Sequence, residues 1–173
     1  MPGMVAMMIE LAIFVCLLWV LSFLSTFLHE IGHALGYMIA TGDGHWHIRV
    51  GSGKELLNTG RLTVKLLPFD GCFVPLMENK TDTRAKKITV LSGGPAVSLI
   101  LVAALLPVRS AGISLHSEVI ASGAVEFFIN SALFINAFIL ILSLVPTHYF
   151  HGETKGLETD GLQIINAIRR KEE

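Results

Sequence analysis

From Met4 to Leu28 the chain is apolar apart from Glu10, Ser22, Ser25 and Thr26, and it runs unbroken into His29-Glu30-Ile31-Gly32-His33. About 20 apolar residues suffice to cross a bilayer as a helix, so this run fixes one end of the fold in or beside lipid. Continued as a helix, it puts His29 and His33 four residues apart on one face, where two imidazoles can grip one metal ion. Glu30 then lies beside that ion as a candidate general base. Three ionisable side chains at the end of an apolar helix are costly without a purpose, which favours a metal site over a chance polar face.

The rest of the composition agrees with a lipid-facing chain. Of 173 residues, 52% are hydrophobic and 16% charged, enough for one domain and too apolar for an ordinary soluble one. The net charge of −1 excludes the basic surface that a nucleic-acid partner requires. Cys16 and Cys72 fit neither a disulfide framework nor a zinc knuckle, so both read as plain thiols. No Lys or Arg precedes the first apolar run, which argues for a retained helix rather than a signal peptide.

Three stretches have the length of membrane spans: about 4–39, 88–106 and 119–145. The expected fold class is therefore a mainly α membrane protein of about three transmembrane helices. Residues 42–87 carry eight Lys/Arg, the tail after Pro146 carries four, and the turn between spans two and three carries only Arg109. That asymmetry predicts an N-terminus outside, with the motif end of span one, the 42–87 region and the tail in the cytoplasm. Alternation in residues 45–76 predicts a small antiparallel β-sheet on the cytoplasmic side, with Gly51-Ser52-Gly53-Lys54 as its turn. Leu162, Ile165 and Ile168 predict a short amphipathic helix at about 161–171. Gly32-x-x-x-Gly36 reads as a close-packing seam for another span, and Glu10 as a residue snorkelling to the interface.

A catalytic metal wants a third protein ligand besides His29 and His33. On the same side of the membrane the chain offers His148, His151, Glu153, Glu158 and Asp160 after span three, and Asp43, His45, His47 and Asp70 in the sheet region. His45, His47 and His116 read as surface residues rather than ligands.

Three segments, taken in order, resemble the site-2 proteases, zinc peptidases that cut substrates within or beside the membrane. They are His29-Glu30-Ile31-Gly32-His33, then Ser92-Gly93-Gly94-Pro95-Ala96-Val97-Ser98, then Ser143-Leu144-Val145-Pro146 followed by Asp160-Gly161. Pro68-Phe69-Asp70-Gly71 is similar to the family's Pro-Phe-Gly-Gly strand. Ser98 and Ser143 stand where the family carries Asn, and Asn136, two turns before Ser143, is the nearest amide on that span.

The resemblance implies one metalloprotease domain over residues 1–173, with one Zn²⁺ per chain held by His29, His33 and Asp160. It implies Glu30 as general base on a zinc-bound water, and hydrolysis of a peptide bond in or next to a transmembrane or hydrophobic peptide substrate. Such a substrate must unwind, and the strand from Arg61 to Leu67 is the expected edge for it to pair on, with Asn136 and Ser143 as further substrate contacts. The setting implied is a prokaryotic plasma membrane, with the lipid bilayer and a regulatory membrane partner or a homo-oligomer as company. Two rival readings stand beside this one. His29-x-x-x-His33 with His148-x-x-His151 suits a membrane di-iron hydroxylase or desaturase, and a catalytically inactive relative would hold membrane peptides without cutting them.

Overall fold

The computed structural model describes residues 2–77, 80–114, 122–150 and 152–169. It is mainly helical. Helix α1 spans Pro2–Thr41, strands β1 Trp46–Asn58 and β2 Leu62–Pro75 follow, then helices α2 Arg84–Ser114, α3 Ser122–Leu144 and α4 Asp160–Arg169. Three helices are long and apolar enough to cross a membrane, within Gly3–Thr41, Arg84–Ala111 and Val125–Leu144. The expected third span began at 119 and the expected tail helix ended at 171; residues 115–121 and 170–173 lie outside the described residues, as do His116 and His151.

At about 1.5 Å per residue the 40 residues of α1 extend about 60 Å, twice a hydrocarbon core of about 30 Å. Its first half is a continuous exposed apolar surface (Met4, Val5, Met8, Ile9, Leu11, Val15). Its second half is where the fold closes. A Cβ at Gly32 would overlap the Gly93 carbonyl, and one at Gly36 would sit 2.6 Å from the Thr89 carbonyl oxygen. The seam read from Gly32 and Gly36 is thus the α1–α2 contact, with Gly93 supplying the small residue on the facing helix. Helix α2 begins at Arg84, ahead of its apolar stretch, and carries Pro95 well inside rather than at its start. Proline has no N–H to give the Leu91 carbonyl one turn back, so the helix passes the site with a gap in its backbone ladder. Helix α3 meets α1 through Phe14–Phe127, whose ring centroids are 4.7 Å apart, and through Asn136 on Ser25.

The sheet carries the expected turn and a second one. Residues 48–50 run in the same direction as 62–64, whereas 55–58 run opposite to 63–65, so the chain doubles back at 51–54 within β1, with Gly51 at φ 90° and Gly53 at φ 82°. A Cβ at Gly51 would sit 2.7 Å and 2.8 Å from the carbonyl oxygens of Leu67 and Lys65, so this turn needs glycine there. The chain reverses again at Thr59–Arg61, where Gly60 takes φ 69° and Asn58 Oδ1 accepts its N–H at 3.2 Å.

Strand β2 is continuous through Pro68. Trp46–Val50 pairs antiparallel with Gly71–Pro75, while Ile48–Val50 also meets Leu62–Val64 on its other side. The sheet lies along α1. Trp19 Nε1 donates to Leu66 O (3.0 Å), Thr26 Oγ1 donates to Pro68 O (3.2 Å), and Ile48 and Val50 pack on Ala34 with Phe23, Phe27, Ile31 and Phe73 around them.

Candidate metal centre

His29, Glu30 and His33 are all buried in the half of α1 that packs on α2 and the sheet. Each imidazole is held from behind through its Nδ1. His33 Nδ1–H donates to the Val90 carbonyl at 2.9 Å, and His29 Nδ1 meets Ser98 Oγ at 2.9 Å. A carbonyl only accepts, so His33 carries its proton on Nδ1 and turns the Nε2 lone pair into the site. Both Nε2 atoms face Asp160, the first residue of α4.

The three donor atoms form a nearly equilateral triangle. Nε2 of His29 and Nε2 of His33 are 3.3 Å apart, and each lies 3.4 Å from Asp160 Oδ2. In a tetrahedral site the distance between two ligand atoms is about 1.63 times the metal–ligand bond, so bonds of about 2.0–2.1 Å give edges of about 3.3–3.4 Å. Two further observations fit a metal. Asp160 Oδ2 is buried without a hydrogen-bond partner. Across from it, a Cβ at Gly94 would run into both Nε2 atoms, so the glycine leaves open a space that any side chain would fill. Among the described residues, His29, His33 and Asp160 are the group that could hold a metal ion.

Burial raises the Asp160 carboxyl, but the imidazoles of His29 and His33 beside it outweigh that and hold the group down at about 2. It is therefore ionised and able to ligate at neutral pH. Sequence position alone could not bring it here. Thr159 does that, with Oγ1 donating to Val145 O (2.7 Å) and Thr147 O (3.0 Å), while the Leu144 carbonyl leaves no room for a Cβ at Gly161.

Most of the other candidate ligands among the described residues are engaged elsewhere. Asp43 accepts from Tyr37 (3.1 Å) and pairs with His45 (2.5 Å) and Lys80 (3.1 Å). His47 bonds Gly60 O and Thr63, Glu153 pairs with Lys65 and Arg49, and Glu158 accepts from Asn166. Asp70 accepts from the 153–154 backbone, and His148, joined to Glu158 by a backbone bridge, lies outside the donor group.

The donor triangle opens on a cavity of about 230 Å³ lined by Glu30, Cys72, Phe73, Tyr149, Leu157 and Gln163 among others. Tyr149 had no role in the sequence reading, yet it stands in the cavity wall. Burial and then the Asp160 and Glu30 carboxylates push its phenol up, so it stays a neutral donor. Ser98 was noted only for standing in an Asn position; its role here is to orient His29.

Asn136 Nδ2 donates to Ser25 Oγ (3.1 Å) and Ala132 O (2.8 Å), and its Oδ1 is buried without a partner. Ser143 is buried and donates back to Leu140 O of its own helix. The Arg61–Leu67 stretch has no free edge at Thr63 and Val64, which pair with Arg49 and Val50 on one side and Asn58 and Leu57 on the other. The edge that faces the cavity is Gly71–Pro75, paired with β1 alone among the described residues. Neither family models, nor characterised proteins, nor solved structures give a match to this chain.

Proposed function

We propose that this protein is an intramembrane zinc metalloendopeptidase that hydrolyses a peptide bond in or next to a transmembrane or hydrophobic peptide. The observation that carries the reading is the buried triangle of His29, His33 and Asp160 donors, with edges of 3.3–3.4 Å, at the cavity that Glu30 lines. Two of the three donors, His29 and His33, lie on a helix long and apolar enough to cross a membrane. A zinc ion held by these three residues supplies Lewis acidity toward a scissile carbonyl and lowers the pKa of water toward neutrality.

The chain's own residues do the rest. Glu30 is no member of the triangle, so its carboxylate is free to take a proton from the attacking water. It then passes that proton to the nitrogen of the leaving amine, so no net proton is lost from the site. Ser98 and the Val90 carbonyl fix the imidazoles, and the neutral Tyr149 phenol stands ready to hydrogen-bond the developing oxyanion. An unwound substrate segment pairs on the free edge of β2 at Gly71–Pro75, which brings its carbonyls to the cavity. The setting proposed is a prokaryotic plasma membrane, N-terminus outside and the site toward the cytoplasm, on the charge asymmetry of the loops. A di-iron centre has less support, since His148 lies outside the donor group.

The test is cleavage of a single-span reporter peptide by the chain reconstituted with zinc, read by mass spectrometry. Wild type is expected to cut near one end of the apolar segment. Glu30→Gln should keep its metal and lose turnover by about 10²–10⁴-fold. Cleavage that survives in Glu30→Gln, or that a chelator leaves untouched, contradicts the proposal.

A further inference from the structure

Asp70 is a buried carboxylate next to the site that, among the described residues, belongs to no metal group and has no basic side chain paired with it. Its hydrogen bonds to the described residues run to one place. Oδ2 accepts the backbone N–H of Glu153 at 2.6 Å and that of Thr154 at 3.3 Å, and Oδ1 accepts the Thr154 hydroxyl at 3.0 Å. Gly152 takes φ 78°, and a Cβ there would press on Asp70 Cγ at 3.0 Å, so the loop is shaped to let the carboxylate in. Bonds from an ionised acceptor to backbone N–H groups are among the stronger ones available to a loop.

The loop so gripped is the one that delivers Asp160. Residues 147–149 and 156–159 are cross-linked by Tyr149 N→Leu157 O (2.9 Å), Gly156 N→Tyr149 O (2.8 Å) and Thr159 N→Thr147 O (3.0 Å). These bonds make a narrow hairpin. Its base is Thr159, one residue before Asp160; its tip is 152–156, held on Asp70. Between base and tip, Tyr149, Leu157 and Glu158 form one wall of the metal cavity. At the other side of Asp70, a Cβ on Gly71 would press on the Glu30 carboxylate, so the same strand lies directly over the general base.

We infer that Asp70 is a positioning residue: it ties the strand lying over Glu30 to the hairpin that carries Asp160, and thereby holds the third donor in the triangle. This rests on the metal-site reading above. With Asp70 in place both ends of the hairpin are fixed. Without it, the tip's remaining side-chain contacts among the described residues are the exposed ones of Glu153, and Asp160 gains freedom to leave the triangle.

The experiment is Co²⁺ titration of the detergent-purified full chain, followed by the visible d–d band, for wild type, Asp70→Ala, Asp70→Asn and Thr154→Val. Asp70→Ala should lower Co²⁺ affinity about 10–100-fold, the usual cost of losing a group behind a metal ligand. Its band at saturating Co²⁺ should differ from wild type, because the carboxylate donor is displaced. Asp70→Asn, which keeps an oxygen for the Glu153 N–H, should recover most of the affinity, and Thr154→Val should lose a smaller part of it. Should Asp70→Ala not fold, the other two variants decide the question in the same way. Wild-type affinity and band in Asp70→Ala, or in Thr154→Val where the alanine variant is unfolded, overturn the inference while leaving the metal site standing. A wild type that takes up no Co²⁺ overturns the metal site and this inference with it.

Discussion

His29 and His33 share a helix turn, but the direction of their lone pairs is decided by residues far away in sequence. Val90 and Ser98, both on α2, bind the two Nδ1 atoms and so aim the two Nε2 atoms at Asp160. Ser98→Ala should therefore leave the fold intact and weaken metal binding about 10–100-fold, because His29 loses the group that fixes its ring. Competition against a chromophoric chelator measures this, and an unchanged affinity would show that packing alone orients His29. At this scale the sequence was readable where chemistry is local. The spacing of His29, Glu30 and His33 on a helix needs nothing but the helix. Asp160 was selected from nine candidates by resemblance, and the structure brings it to the imidazoles. Ser98, Tyr149 and Asp70 act through contacts that join separate elements, and no local pattern announces them.

Between elements, one close constraint is the backbone contact of α1 with α2. A methyl group on Gly32 or Gly93 meets the carbonyl of the opposite helix rather than a side chain that could swing away. Gly32→Ala should cost about 1–3 kcal/mol, the range for inserting atoms into a filled interior, and should disturb metal binding because His33 and Gly94 lie at the same level. Thermal unfolding in detergent checks the first part. The hairpin tip gives a pH prediction. Lys65, hydrogen-bonded to Glu153, holds that carboxyl below its ordinary value, with Arg49 adding to the effect. A carboxyl lowered by folding stabilises fully above its unfolded pKa of about 4.3 and loses that contribution as pH falls through its lower folded value. Protection of residues 152–156 against hydrogen exchange, corrected for intrinsic rate, should thus be level from neutral pH down to about 5 and fall below about 4. The strands show how far pattern reading reaches. Gly51-Ser52-Gly53-Lys54 has the composition of a turn and makes one, but the pairing of Ile48–Val50 with Leu62–Val64 joins segments that no local pattern connects.

For the whole molecule, the three apolar stretches were legible because hydropathy over about 20 residues is a property of composition. What composition could not convey is that the sheet lies alongside α1 from Trp19 to Ala34, a distance of about 22 Å, with its free edge at the cavity. Under the proposed function this arrangement puts a peptide-pairing edge, a general base and a metal at one depth beside the apolar helices. The central claim is that His29, His33 and Asp160 together hold one zinc per chain. It is tested most directly by the metal content of the detergent-purified protein, wild type beside Asp160→Ala and His148→Ala. The account predicts close to one zinc per chain in wild type and His148→Ala, and a loss of most of it in Asp160→Ala. Zinc that persists without Asp160 but disappears with His148, or two irons per chain, would contradict it.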